Sequence, residues 1–164
     1  KNQKEELTMS KVKKVTKRTA SKKAVNLIKQ FEGCRLTAYQ DSVGVWTIGY
    51  GTTNADKSIT GLTIKKGTKI TQAQAEHFLL KSLNSKYAAK VNKFFKKYKW
   101  SQNQFDALIS FAYNIGSIDQ LTANGTRSIA QISNKILAYN KAGGKELAGL
   151  TRRRKAEKKL FDTK

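Results

Sequence analysis

Two carboxyl groups and one hydroxyl in the first third of the chain have the types and spacing to do chemistry. Glu32 is followed after eight residues by Asp41, and Asp41 after five more by Thr47. Two acids in different surroundings can divide acid–base work. A carboxyl at a helix end beside apolar neighbours keeps its proton, whereas one in a polar, glycine-rich turn stays ionised. The first can protonate a leaving oxygen. The second can manage a water or a developing positive charge, and a nearby hydroxyl can hold that water. Hydrolysis of a glycosidic bond needs this equipment. The same residues also fit a plainer reading, because any hairpin needs glycine turns, surface charges and one packed face.

The elements that must position these groups follow from patterning. Ser21 can cap a helix in which Ala24, Leu27, Ile28 and Phe31 recur at helical spacing, and Gly33 stops it just after Glu32. From Arg35 to Thr53, Tyr39, Val43, Val45, Trp46, Ile48 and Tyr50 stand among Gly44, Gly49 and Gly51, the signature of short strands and tight turns. Thr71 opens a helix with Ala75, Phe78, Leu79, Leu83, Tyr87 and Val91 on one face. Ser101 and Gln104 make a capping box before Phe105, Leu108, Ile109 and Ala112, and Gly116 ends that helix. A further helix is expected from about Thr126 to Tyr139, closed by Gly143-Gly144, and a last one from near Thr151. The expected architecture is α+β. Residues 1–20 form a basic flexible arm or weak helix, and 21–164 a single domain. That domain has a small β-rich lobe at about 33–70 and a helical lobe at about 71–164 that includes the 21–32 helix.

Composition narrows the partners. A chain of 164 residues with 38% hydrophobic content can build a core. Its lone cysteine, Cys34, excludes an internal disulfide and reads as a small packing residue. A single His77 without a cysteine pair argues against a zinc site, and no cofactor is implied. No run reaches the roughly 18–20 apolar residues of a membrane span, and no signal-peptide core is seen, which leaves the export route open. The formal net charge of +22 is spread over Lys11–Lys29, Lys90–Lys99 and Arg152–Lys159. It points to polyanions: nucleic acid, anionic membrane or the anionic polymers of bacterial walls. It equally suits a well-solvated surface.

The stretch EGCRLTAYQDSVGVWTIGYGTT, from Glu32 to Thr53, resembles the signature of phage-type lysozymes, the endolysin family with the T4-lysozyme fold. Two more blocks resemble the family in its order: WSQNQFDALISFAYNIG, Trp100 to Gly116, and GGKELAGLTRRRKAE, Gly143 to Glu157. The resemblance implies two lobes joined by a long helix, the one after Thr71, with the glycan in the cleft between them. It implies a bacteriolytic glycoside hydrolase, a muramidase that cuts the β-1,4 bond between N-acetylmuramic acid and N-acetylglucosamine of peptidoglycan. Glu32 would be the acid, Asp41 would orient or activate water, and Thr47 would help fix it. Inversion would set the two carboxyls roughly 6.5–9.5 Å apart. Tyr50, Tyr113 and Asn114 would line the sugar cleft, with Tyr113 also readable as core. Arg153 or Arg154 would approach Glu32. The family implies a monomer acting on the cell wall, with no metal. Thr52 stands where the family often has His, which bears on stability of the small lobe, and Tyr139 where Trp is common.

Two other classes compete. A cationic binder with an inactive lysozyme fold would use the basic, aromatic run KFFKKYKW, Lys93 to Trp100, on wall polymers or membranes. All three catalytic positions being filled argues against it. A specific nucleic-acid binder would need a recognition motif, and none is seen.

Overall fold

The structure is a computed structural model that describes residues 15–164. Most of the expected basic arm therefore lies outside the described residues. Its last part is docked rather than free. Arg18 donates from its backbone to Asn92 Oδ1 at 2.9 Å and from Nε to Trp100 O at 2.7 Å, and Ala20 N donates to Asn84 Oδ1 at 2.7 Å.

Helix α1 spans Lys22–Lys29 behind the Ser21 cap and buries Ala24, Val25, Leu27 and Ile28. Strands β1 (Arg35–Gln40), β2 (Trp46–Gly49) and β3 (Thr52–Thr53) form an antiparallel sheet in chain order, with Tyr39 opposite Thr47 and Thr47 opposite Thr53. Gly49 adopts φ 64°, and a Cβ there would sit 3.4 Å from both Ala75 Cβ and Ile70 Cδ1. Glycine thus lets the sheet press on the next helix. A short helix α2 (Lys57–Thr60), not foreseen by patterning, closes the small lobe.

Helix α3 (Gln72–Lys86) opens on a complete capping box, Thr71 with Gln74. The single long linking helix expected from Thr71 onward is broken at Tyr87, and α4 (Ala88–Asn92) follows as a separate short helix. Tyr87 has φ −118°, and its ring packs edge-on to Tyr113 at 5.6 Å. The break leaves that contact in place while Ala88 and Val91 still reach the core.

Helix α5 (Phe95–Tyr98) follows, then α6 (Gln102–Ile115), which begins at the expected Ser101–Gln104 capping box. The centre of the molecule is α6: Phe105, Ala107, Leu108, Ile109, Phe111 and Ala112 are all buried. Each large side chain among these contributes about 1.5–3 kcal/mol by leaving water. Helices α1, α4 and α8 pack on α6.

Three expectations shift in the C-terminal third. Helix α7 is shorter than expected, Ile129–Ile136, because Ser128 with Gln131 makes the capping box that starts it. Gly143 and Gly144 do not close that helix. Both have positive φ, 58° and 79°, and they turn a small hairpin of β4 (Lys141–Ala142) and β5 (Lys145–Glu146). Helix α8 then runs Ala148–Asp162, beginning before Thr151 at an N-cap, Leu147, without a side-chain hydrogen bond.

The run Lys93–Trp100 is not a membrane-seeking surface. Phe95 and Trp100 are buried, Phe94 and Tyr98 pack against the core, and Trp100 Nε1 donates to Val91 O at 3.1 Å. With the aromatics committed inward, the binder reading loses its apolar contact surface.

Candidate active site

Glu32 stands just past α1. The helix ends at Lys29, yet the N–H groups of Phe31 and Glu32 both donate to Ile28 O, at 3.0 and 3.1 Å. That closing turn fixes where the carboxyl starts. Arg153 on α8 meets it, with Nη1 donating to Glu32 Oε1 at 2.7 Å. The Arg153 side chain is 4% exposed and that of Glu32 33%. The arginine is therefore dry while the carboxyl opens to solvent. The guanidinium lies between two aromatic rings, 5.8 Å from the centre of Phe31 and 6.0 Å from that of Tyr113.

Behind Arg153 is a buried charge cluster. Arg153 Nε is 3.4 Å from Glu157 Oε2, and its Nη2 donates to Ser110 O at 3.3 Å. Ser110 Oγ donates to Glu157 Oε2 at 2.7 Å. Arg154, the alternative neighbour of Glu32, instead turns into the core. Its Nη2 donates to Glu157 Oε2 at 3.1 Å, its Nε lies 2.7 Å from Glu157 Oε1 at an angle poor for a hydrogen bond, and its guanidinium sits 4.9 Å over the Phe111 ring. Burial pushes the Glu157 carboxyl above the usual carboxylate range, against the pull of Arg154, Ser110 and Arg153. Glu157 and Ser110 were absent from the residues singled out in the sequence. The available signal was the Arg153–Glu157 spacing of one helical turn.

A cleft of about 470 Å³ opens over the Glu32–Arg153 pair, and Phe31, Asn114, Leu147 and Arg152 help to line it. A second cavity of about 300 Å³ is lined by Tyr50, Asp56, Tyr87 and Tyr113 among others. Tyr113 is half-buried, and its hydroxyl donates to Tyr50 O at 3.1 Å. Burial, helped by the Glu32 charge, pushes its phenol up to about 12, so it remains a neutral donor across working pH. Tyr50 is buried, and its hydroxyl accepts from Gln72 Nε2 at 2.8 Å, which makes it a wall of that cavity.

Asp41 and Thr47 share the β1–β2 hairpin. Asp41 Oδ1 accepts from the N–H groups of Val43 and Val45, each at 2.9 Å, while Asp41 N donates to Val45 O at 2.9 Å. Oδ2 has no such bond among the described residues. Thr47 is buried, and its hydroxyl donates to Val45 O at 2.9 Å, leaving its oxygen lone pairs to accept. Cys34 is half-buried against the core, with Sγ 3.6 Å from Gln72 Oε1. His77 is exposed beside Phe78. Among the described residues, no group of three His, Cys, Asp or Glu side chains is placed to hold a metal ion.

Residues 29–157 match the Phage lysozyme family. The chain belongs to the phage lysozyme family. It is 42% identical over 144 residues to an endolysin of Lactococcus phage c2, a match that covers 87% of this chain and 59% of that one. This chain thus spans about three-fifths of that relative's length. It is 37% identical over 152 residues to an endolysin of Acyrthosiphon pisum secondary endosymbiont phage 1, covering 87% of this chain and 97% of the other. Among solved structures, the muramidase domain of SpmX from Asticaccaulis excentricus superposes with a TM-score of 0.70 at 33% identity, covering 90% of this chain and 100% of that one. In this phage lysozyme the three blocks that carry the sequence resemblance meet at one place. Glu32 comes from the first, Ser110 from the second, and Arg153 with Glu157 from the third.

Proposed function

We propose that this chain is a muramidase that hydrolyses the β-1,4 bond between N-acetylmuramic acid and N-acetylglucosamine in peptidoglycan, acting as a monomer at the cell wall. What carries the reading is the convergence of all three blocks on a single solvent-facing carboxyl, Glu32. Glu32 is the general acid. Arg153 holds Glu32 Oε1 from the buried side, so the acid carries its proton on the face open to the glycan. It then passes that proton to the glycosidic oxygen as the bond to the anomeric carbon breaks. Water adds to that carbon and gives up a proton to Asp41. The backbone amides hold Asp41 Oδ1, which leaves Oδ2 for the water, and the Thr47 oxygen accepts the water's second hydrogen. The reaction inverts the anomeric centre. Asn114 and the Tyr113 ring receive the sugar. Neither a metal nor an organic cofactor enters any of these steps.

The test is digestion of purified peptidoglycan by wild type and Glu32→Gln, followed by mass spectrometry and time-resolved proton NMR. Wild type should release fragments with reducing muramic-acid ends, the α-anomer first. Glu32→Gln should lose about 10²–10⁴-fold in turnover. A folded Glu32→Gln with normal turnover overturns the acid, and a β-anomer appearing first overturns inversion. The basic residues before Arg18 serve, in the same proposal, to hold the enzyme on anionic wall polymers or on a membrane surface, with no role for specific nucleic-acid binding. Deleting residues 1–14 should spare turnover of soluble glycan fragments and weaken clearing of whole cells at low salt. Equal clearing by both forms across salt concentrations removes that role.

A further inference from the structure

Behind the cleft, α1 and α8 leave a second groove of about 440 Å³, lined by Lys23, Asn26, Leu27, Ala156, Lys159 and Leu160 along with Gln30 and Thr163. Gln30 also lines the cleft that holds Glu32, so the two cavities adjoin at that residue. Along α8, Arg152, Lys155 and Lys159 are exposed and fall at i, i+3 and i+7, one face of the helix. None of the three pairs with an acid among the described residues. The acids of α8 are already occupied: Glu157 by Arg153 and Arg154, and Asp162 by Lys158 and Ser133. Other lysines differ. Lys90, Lys93 and Lys97 are fastened to Gly116 O, Asp119 and Gly125 O respectively. Lys23 in the groove donates to Asn103 Oδ1 at 2.7 Å.

We infer that this groove and its cationic rim form a docking track for a phosphodiester-linked polyol, the anionic polymer carried by the glycan that the enzyme cuts. Three features select that chemistry. Lys23 and Lys159 line the groove with no acid beside them, exposed Lys155 precedes Lys159 by one helical turn, and the rise between those two is about 6 Å, on the scale of one three-carbon phosphodiester repeat. The floor, Leu27, Ala156 and Leu160, is apolar and recessed, suited to the carbons of a polyol. Asn26, Gln30 and Thr163 supply neutral donors and acceptors for its hydroxyls. A nucleic acid would ask for aromatic platforms, and no aromatic residue lines this groove. A bilayer would ask for protruding apolar side chains, whereas here the apolar groups lie at the bottom beneath charge. Because the groove adjoins the cleft at Gln30, a docked polymer would hold its attached glycan close to Glu32.

This inference rests on peptidoglycan being the substrate, and the experiment separates the two by reading binding without cleavage. The full chain is titrated with poly(glycerol phosphate) over a range of salt, as wild type, as Lys155→Gln/Lys159→Gln, and as Lys65→Gln/Lys66→Gln, an equal charge loss on the small lobe. The α8 variant should bind about tenfold more weakly at moderate salt, with a salt slope lower by about 1.4. The small-lobe variant should stay within about twofold of wild type. Turnover of polymer-stripped peptidoglycan, measured in parallel, should be unchanged in the α8 variant. Equal weakening in both variants would mean diffuse charge and would overturn the track, as would no binding by wild type. Binding to phosphatidylglycerol vesicles with the same dependence on Lys155 and Lys159 would reassign the surface to membrane.

Discussion

The two carboxyls proposed for chemistry are held in opposite ways. Asp41 sits on an exposed hairpin and is gripped by backbone amides supplied within four residues. Glu32 is gripped by a guanidinium 121 residues away, itself set in a dry cluster with Ser110 and Glu157. The first arrangement is local and cheap, since any residue can supply an N–H. The second is costly, because each buried charge must keep its partner or lose several kcal/mol. A catalyst that needs one carboxyl fixed in place and one that can move with its ligand is served by this division. Backbone dipoles hold Asp41 steady, and a partly exposed ion pair lets Glu32 respond to what enters the cleft.

The contrast can be broken from its costly side first. Glu157→Ala leaves Arg153 and Arg154 without their shared carboxylate in the core. It should destabilise the fold by about 3–5 kcal/mol, read by urea denaturation. A loss under about 1 kcal/mol would mean that the cluster relaxes to water. On the cheap side, Asp41→Asn keeps an oxygen for the two amides, so stability should hold while turnover falls by about 10²-fold. A stability loss comparable to that of Glu157→Ala would erase the distinction. Ser101→Ala removes a cap at the head of α6, far from either acid, and should cost about 1 kcal/mol with normal kcat. The finest test is spectroscopic. Tyr113 has its phenol pushed up to about 12 in the folded state, above its ordinary value of 10.0. The stability this provides is complete below pH 10 and is lost as pH rises toward 12. Burial also raises the phenols of Tyr50 and Tyr98, and absorbance titration should therefore lose its latest-titrating tyrosine in Tyr113→Phe.

Legibility in the sequence followed the same divide. The hairpin could be read because its instructions are adjacent: glycines at the turns, aromatics on the packed face, and an aspartate whose own neighbours satisfy it. The start of α6 could be read because Ser101 and Gln104 write their own boundary. The start of α8 could not, since Leu147 has no capping side chain to announce it. Gly143-Gly144 reads equally as a helix stop or a hairpin turn, and only the pairing of Lys141 with Glu146 decides. The run RRRKAEKK looks like a solvated basic helix. Two of its arginines and its glutamate are nevertheless buried, because α6 presents Ser110 and Phe111 to that face. KFFKKYKW misled in the reverse sense: alternating charge suggested a surface, while helical turns carried its rings inward. Charge that is paired across the chain cannot be told from charge that is solvated until both partners are placed.

The long reach from Glu32 to Arg153 also has a consequence in time. The segments flanking α1 meet partners far downstream at several points: Ala20 at Asn84, Arg18 at Trp100, Ser21 at Asp106 and finally Glu32 at Arg153. Contacts of such sequence separation form late, after the loop between them has closed. In a chain still leaving the ribosome, the acid lacks its counter-charge until α8, the last of the described helices, has emerged. Chains cut short by nonsense or proteolysis before α8 should lack that counter-charge and be inert.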